Sequence, residues 1–329
     1  MKRNKYLSLL ALALTLVLSA CNKILDDLPD SRTEIDSPEK IEELLVGAYP
    51  NRFPTYIAEM MSDNVSEKTS FLGISTLNTD MYFWRDNNEI DGEDNTPTDY
   101  WIACYAAIGA ANQALESYAE LGESAQYNYI KGEALVARAY AHFCLANLFC
   151  QAYNPTTSST DLGIPYITEP EAQLDPKRDR GTEAQLYQQI DRDLQVGLPL
   201  IEDSYYQMPK YHFNKKAAYA FAARFYLYYQ QWQKAVEAAN VVLTTNAATT
   251  KTLVRQWSDF RDAQKTGIRS IIAYAQAYAR ESEVANLMLQ PVYSELSTTY
   301  FVETNYRFSH AYRVAEQETF STTNLWDPH

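Results

Sequence analysis

The sequence predicts a mostly α fold, built from tetratricopeptide-like helix pairs with an irregular, loop-rich subdomain. One observation is a small–aromatic–aromatic–small order at offsets of three, six and three residues, typical of a tetratricopeptide unit, carried by Ala223, Tyr226, Trp232 and Ala235. Another is residues 124–151, whose apolar side chains recur at intervals of three and four, the spacing of one helix face. A third is the weak helical periodicity of about residues 55–99 and 250–329, which predicts the irregular part.

A tetratricopeptide unit cannot bury its apolar face alone, so the pattern in residues 218–243 predicts stacked neighbours. Its small residues let two helix backbones approach, and its aromatic residues fill the space between turns. An ordinary helical hairpin in another kind of all-α protein would have the same spacing.

Helix start signals and apolar periodicity place the helical scaffold at about residues 37–54 and 100–250. The first helix begins at Ser37-Pro38-Glu39, because Ser caps, Pro suits the first turn and Glu faces the positive helix end. It is expected to run to about Tyr49, before Pro50. Thr182 to Gln185 form a capping box. The other predicted helices cover residues 100–121, 124–151 and 182–198 and the hairpin 215–243.

The predicted irregular subdomain is split between about residues 55–99 and 250–329. A loop as long as the first part is usually functional, and it carries aromatic side chains beside amides and carboxylates. Residues 154–179 hold four prolines and a Thr/Ser run, which predicts a further loop. In the second part, residues 269–277 alternate enough to form a strand.

The first 36 residues indicate export. Basic residues open the chain, and an apolar run follows at residues 7–18 that is too short to span a bilayer as a mature helix. The next small residues and Cys21 resemble a bacterial lipoprotein processing box. We therefore predict a signal peptide at 1–20, lipidation at Cys21 and a tether over 21–36, with several acyl chains as an outer-membrane anchor. An ordinary secretory signal with a chance cysteine is the alternative.

Composition narrows the classes of function. Of the 329 residues, 46% are apolar, which supports a real core and argues against disorder. The formal net charge is −14 and no compact Lys/Arg cluster occurs, so we predict no binding to nucleic acid. The 26 tyrosines combine apolar area with a hydroxyl group, which suits both sugar and peptide surfaces.

The sequence predicts no catalytic residue, no metal site and no cofactor. It has no Gly-rich phosphate loop, no Ser nucleophile elbow and no His set at metal-ligand spacing. Three cysteines besides Cys21 lie in apolar helical segments and are interpreted as small buried hydrophobic residues. The acidic residues Asp91, Glu93 and Asp94 predict a solvated loop, although such oxygens are also suited to holding a cation.

Six motifs, in the same order, resemble the SusD/RagB family of Bacteroidetes outer-membrane lipoproteins. Each motif alone is weak, but together they are specific and cover most of residues 21–245. They are the lipidated cysteine with an L-D-x-x-P element from Cys21 to Pro29; Ser62-Asp63-Asn64; the W-x-x-x-Y-x-x-I-x-x-A-N helix from Trp101 to Asn112; the E-A-x-x-x-R-A helix from Glu133; Gly163-Ile164-Pro165-Tyr166; and the hairpin from Lys215 to Leu243.

The resemblance implies that residues 37–329 form one SusD-like domain without catalytic residues. It implies a surface lipoprotein that covers a TonB-dependent, SusC-like transporter and captures oligosaccharides, or peptides in the RagB branch. A structural transporter lid without direct nutrient binding is a third alternative. Members of the family usually continue through a final helical pair, so we expect this chain to be truncated at its C-terminus.

The candidate ligand site lies in the aromatic and polar run at residues 82–88, together with the S-D-N turn. Sugar rings have apolar faces that lie on Trp or Tyr, and hydroxyl edges that pair with carboxylates, amides and guanidinium groups. Trp84 is the predicted platform, and the other predicted ligand-binding residues are Asp63, Asn64, Tyr82, Arg85 and Asn88. Secondary candidates are Tyr293, Tyr300, Tyr306 and Trp326. We assign to the core Trp101, Trp232 and the Tyr226–Tyr229 cluster.

Overall fold

The computed structural model describes residues 35–69, 76–85, 96–122, 124–170, 177–255, 280–290 and 307–310. The chain divides into two units, Met1–Asp36 and Ser37–His329. The lipidation of Cys21 and the strand at 269–277 fall outside the described residues and stay predictions. All elements named below belong to the second unit.

The described part of this unit is mostly helical, which confirms the predicted fold class. Its α-helices are α1 (Pro38–Leu45), α2 (Thr55–Met60), α3 (Thr76–Tyr82), α4 (Pro97–Glu120), α5 (Asn128–Phe149), α6 (Glu183–Gly197), α7 (Lys215–Tyr228), α8 (Trp232–Leu243) and α9 (Ala247–Thr252). Its strands are β1 (Val65–Glu67) and β2 (Phe308–His310). Short 3₁₀ turns occupy Ala125–Tyr127, Leu198–Leu200, Asp203–Tyr205 and Pro209–Tyr211.

Helix α5 is the centre of the scaffold and packs against α1, α4, α6 and α7. The sequence predicted one apolar face, but Val136 and His142, which lie off that face, are also fully buried. Several partner helices cover α5 from different directions, which explains the difference. At Gly132 a Cβ atom would lie 2.8 Å from the Cβ of Leu200 and 3.0 Å from the carbonyl oxygen of Gly197, so this close approach requires glycine.

The predicted helix caps are present. Ser37 Oγ accepts a hydrogen bond from the Lys40 N–H at 3.4 Å, and Thr182 and Gln185 cap α6 reciprocally. Helix α1 ends at Leu45, earlier than predicted, because the chain turns there and the Gly47 N–H bonds back to the carbonyl of Leu44 at 2.9 Å.

The predicted hairpin is formed by α7 and α8, which pack along their length. Tyr226 is buried on α7, and Ala238 and Val242 are the buried residues of α8. Trp101, which the sequence also assigned to the core, is half-buried and makes an edge-to-face contact with Phe149 at 4.9 Å.

The assignment of Trp232 to the core is wrong, since this side chain is 59% exposed. Tyr228, in the Tyr226–Tyr229 cluster, is also exposed. At about 100° per residue, Trp232 and Val236 share a face of α8 that differs from the face packed on α7. The spacing therefore predicted both helices correctly. It did not predict which face of α8 packs on α7.

Residues 55–99 are more regular than predicted, since their described part contains α2, β1 and α3. Elements of three to seven residues offer too few repeats for periodicity to detect. Strand β1 pairs antiparallel with β2, with Val65 opposite His310 and Glu67 opposite Phe308. A two-stranded sheet therefore joins two segments that are distant in sequence. The helix α9 also crosses the predicted boundary at residue 250.

A buried polar network joins residues from three of the motifs. Arg138 of α5 donates from Nε and Nη2 to the carboxylate of Asp193 on α6, at 2.7 and 2.8 Å, and from Nη1 to Asn112 Oδ1 at 2.9 Å. The Tyr166 hydroxyl donates to the same carboxylate at 2.5 Å. The network gives the Asn, Arg and Tyr of these motifs a shared structural role.

A second buried carboxylate, that of Glu133 on α5, is held by side chains from two other segments. The Tyr206 hydroxyl donates to its Oε2 at 2.6 Å, and His212 Nδ1 lies 2.9 Å from its Oε1. The Tyr49 hydroxyl donates to the same Oε1 and accepts from the Phe213 N–H at 2.8 Å. The contacts tie the segment before α7, and the turn after α1, to the central helix.

The carboxylate of Glu183, at the start of α6, lacks such partners. The side chain is fully buried, and neither of its oxygens has a hydrogen-bond partner among the described residues. Burial, and then the charge of Asp161, raise the pKa of Glu183 to about 6, while the nearby Asn154 N–H acts in the opposite direction.

We expect Glu183→Gln to stabilise the protein above pH 6 by about 1 to 2 kcal/mol. A carboxyl group whose pKa is raised on folding contributes stability below its unfolded pKa, and that contribution is lost as pH rises through the folded value of about 6. Urea unfolding at pH 5 and pH 8 measures the gain, which should be larger at pH 8. The exposed Glu43→Gln on α1 is the control for loss of one charge. An equal effect of Glu183→Gln at both pH values would contradict the assignment.

Candidate functional site

Helix α3 ends in a turn that places an aromatic residue in an unusual conformation. The Arg85 N–H donates to the carbonyl of Asp80 at 2.9 Å and the Trp84 N–H to that of Met81 at 3.1 Å, which is the Schellman pattern. The left-handed position of this pattern is usually glycine, but here Trp84 occupies it with φ of 53°. A bulky residue costs about 1 to 2 kcal/mol there. Residues strained in this way cluster at ligand-binding and other functional sites.

The strained turn presents aromatic and basic side chains to solvent. Trp84 is 72% exposed and Phe83 is 39% exposed. The guanidinium carbon of Arg85 lies 4.7 Å from the centre of the Phe83 ring, and that of Arg307 lies 5.4 Å from the same centre. We call Phe83, Trp84, Arg85 and Arg307 the aromatic–arginine patch. It combines apolar faces with cationic hydrogen-bond donors.

The two-stranded sheet supports this patch from one side. The ring of Tyr82 packs against that of Phe308 on β2, with centres 4.6 Å apart, which anchors the end of α3. Arg307 donates from Nε to Glu67 Oε1 on β1 at 2.8 Å, and its Nη2 lies 2.7 Å from the same oxygen. Because these contacts fix Tyr82 and Arg307, the exposed part of the patch rests on ordered elements.

The structure brings together Tyr82, Trp84 and Arg85 of the predicted ligand-binding residues. Tyr82 is half-buried in the anchor, whereas Trp84 and Arg85 face solvent. Within the described residues, the hydrogen bonds of Asn64 in the S-D-N turn go to the turn itself and not to the patch. Asn64 donates from Nδ2 to Glu59 Oε2 at 3.3 Å and from its N–H to Ser62 Oγ at 3.2 Å, so its amide stabilises the turn before β1.

The other predicted ligand-binding residues are either exposed outside the patch or not among the described residues. Asp63 is exposed in the same turn. Asn88 and the secondary candidates lie outside the described residues. Arg307 was missed by the sequence reading, because no local signal links it to a run of residues more than 200 positions earlier. Phe83 was part of that run but was not chosen.

The parts of the chain that the structure describes hold no group of three or more His, Cys, Asp or Glu side chains that could bind a metal ion. Cys104, Cys144 and Cys150 are free thiols, and Cys104 is buried. Within the same residues, no helix is both long and apolar enough to cross a bilayer.

Comparison with known proteins identifies the family to which the helical scaffold belongs. The family profile described as starch-binding and associating with the outer membrane matches residues 23–227. The chain belongs to the SusD-like family. A curated relative, SusD-like protein P2 of Formosa agariphila, is 28% identical over 185 residues, which cover 55% of this chain and 34% of the relative. The profile includes Trp84 and all three motif residues of the Arg138 network.

Solved SusD-like structures share the fold at low identity. A SusD superfamily protein from Bacteroides thetaiotaomicron matches with a TM-score of 0.54 and 22% identity, over 69% of this chain and 50% of that protein. A SusD superfamily protein from Bacteroides fragilis matches with a TM-score of 0.51 and 23% identity, over 64% and 50%. The match therefore spans about half the length of these two solved proteins and about a third of the curated relative.

Proposed function

We propose that this SusD-like protein captures oligosaccharides without catalysis at the outer surface of the outer membrane, where it is anchored through Cys21. The ligand is then passed to a TonB-dependent, SusC-like transporter. The observation that carries the proposal is the exposed indole of Trp84, held at a strained helix end where glycine is the usual residue. Membership of a starch-binding family supports a sugar ligand.

The patch has the two features that a sugar site needs. The face of an indole accepts the apolar face of a pyranose ring, and guanidinium donors suit the hydroxyl groups at the ring edge. Covering roughly 80 Å² of apolar surface at about 25 cal/mol per Å² contributes about 2 kcal/mol. That corresponds to roughly 30-fold in Kd, which is the scale on which loss of Trp84 should act.

We expect Trp84→Gly to weaken glycan binding by at least about tenfold while leaving the fold as stable or more stable. Glycine relieves the left-handed strain, so a binding loss cannot be attributed to unfolding. The measurement is calorimetric titration of the chain from Asn22 to His329 with malto-oligosaccharides and a panel of plant, host and microbial glycans. Urea unfolding of the same samples gives the stability.

Trp232→Ala is the matched control, because Trp232 is also largely exposed but lies on α8. Glycan binding that survives Trp84→Gly and is lost in Trp232→Ala would move the site to α8. Binding of a mixed peptide pool alone would favour the RagB-like alternative. A folded protein that binds neither class would leave only the structural lid.

A further inference from the structure

The aromatic–arginine patch contains two basic side chains in a chain that is acidic overall, with 28 basic and 42 acidic residues. The guanidinium carbons of Arg85 and Arg307 lie 4.7 and 5.4 Å from the centre of the exposed Phe83 ring.

The two arginines of the patch play different parts. Arg307 is engaged by Glu67, as described above. Arg85 is exposed, and no carboxylate of the described residues is paired with its guanidinium group. Among the described residues, the guanidinium group of Arg85 contacts the Phe83 ring. A guanidinium group carries its N–H donors in its own plane, so stacking over a ring does not consume them.

An available guanidinium fork is suited to a planar or tetrahedral oxyanion. Arg pairs with carboxylates and with sulfate-like groups through two parallel hydrogen bonds, which are stronger than bonds to a neutral hydroxyl. Trp84 and Arg85 are adjacent in the chain and both exposed, and no carboxylate of the described residues pairs with Arg85, so the two side chains match a sugar ring that bears an acidic substituent. The negative charge of the remaining chain is screened beyond about 8 Å at physiological salt. The pairing of the ligand anion with Arg85 therefore determines whether an acidic glycan is favoured.

On the basis of the proposed glycan-binding function, we infer that the protein prefers acidic oligosaccharides. The sugar face lies on Trp84, and the carboxylate or sulfate group pairs with Arg85. Five acidic residues follow Arg85 in the sequence and lie outside the described residues: Asp86, Glu89, Asp91, Glu93 and Asp94. The ligand anion displaces any pairing of these carboxylates with Arg85.

The test compares charged ligands with neutral counterparts of the same backbone. Oligogalacturonate and its methyl ester report on carboxylates, and a sulfated galactan oligosaccharide and its desulfated form report on sulfate. Calorimetric titration at 0.15 M salt should give about tenfold tighter binding for at least one charged member of these pairs. The pair that shows the difference identifies the anion. The preference should shrink as salt is raised.

Arg85→Gln should remove the preference by weakening the binding of the charged forms about tenfold more than that of their neutral counterparts. The control is Arg192→Gln, which removes one exposed positive charge from α6 and should leave the preference unchanged. Equal binding of charged and neutral forms, or a preference that survives Arg85→Gln, would overturn the inference. If charged and neutral glycans bind equally, loss of binding of both in Trp84→Gly would still support the proposed function. No binding of any glycan would reject both.

Discussion

Asp193→Ala is expected to destabilise the protein by about 3 to 5 kcal/mol. The carboxylate of Asp193 is bound by the Nε and Nη2 groups of Arg138 and by the hydroxyl of Tyr166. Arg138 and Asp193 are both buried. Removal of the carboxylate leaves the guanidinium charge of Arg138 buried without a counter-ion, which is the most damaging way to break such a pair. Urea unfolding followed by far-UV circular dichroism measures the loss.

Two variants separate this effect from simple loss of a charge on α6. Asp191 lies on the same helix, pairs with the partly exposed Lys234 at 3.1 Å and accepts a hydrogen bond from the Tyr226 hydroxyl at 2.9 Å, so Asp191→Ala should lower stability by about 1 to 2 kcal/mol. The double variant Arg138→Met/Asp193→Leu should recover part of the loss, because no unpaired charge remains. A cost for Asp193→Ala no larger than that for Asp191→Ala would contradict the role given to the network.

Acidification is expected to destabilise the protein through His142, by about 2 kcal/mol at pH 5 relative to pH 7. His142 is fully buried on α5, with Nδ1 2.8 Å from the carbonyl of Arg138 and Nε2 accepting from the Ile167 N–H at 3.1 Å. Burial lowers the pKa of His142 to about 3, and the neighbouring positive charge of Arg138 acts in the same direction. Both hydrogen bonds suit a neutral ring with its proton on Nδ1.

Acid lowers the stability because His142 binds a proton more readily in the unfolded state than in the folded state. Below its ordinary pKa of 6.5 the imidazole of the unfolded chain is protonated, while that of the folded chain stays neutral until about pH 3. Its contribution is therefore complete above about pH 7 and falls by about 1.4 kcal/mol per pH unit between pH 6.5 and 3. His142→Gln should be less stable at pH 7 but lose less stability on going to pH 5. Parallel pH profiles for the two proteins would refute this assignment.

The scaffold was predictable from the sequence because its signals are local. The caps at Ser37 and Thr182, the periodicity of α5 and the hairpin of α7 and α8 each depend on residues within a few turns of one another. The structure added facts that depend on distant residues. The exposure of Trp232 follows from which face of α8 is covered, and Asp193 completes the Arg138 network although no motif contains it.

The candidate site was predictable only in part, for the same reason. The aromatic run identified Trp84, Arg85 and Tyr82 from their chemistry. No sequence signal indicated that Arg307 would reach Glu67 across 240 residues, or that Tyr82 would serve as an anchor on Phe308. The left-handed conformation of Trp84 was also hidden, because it results from where α3 ends.

Fluorine NMR of protein labelled with 5-fluorotryptophan shows directly whether a glycan binds on the indole of Trp84. The chain has five tryptophans, and the Trp84 signal is assigned as the one missing from Trp84→Phe. On addition of a glycan that binds in the calorimetric panel, we expect the Trp84 signal to shift while those of the half-buried Trp101 and the exposed Trp232 do not. A shift confined to Trp232, or saturable binding with the Trp84 signal unmoved, would show that the glycan does not bind on Trp84.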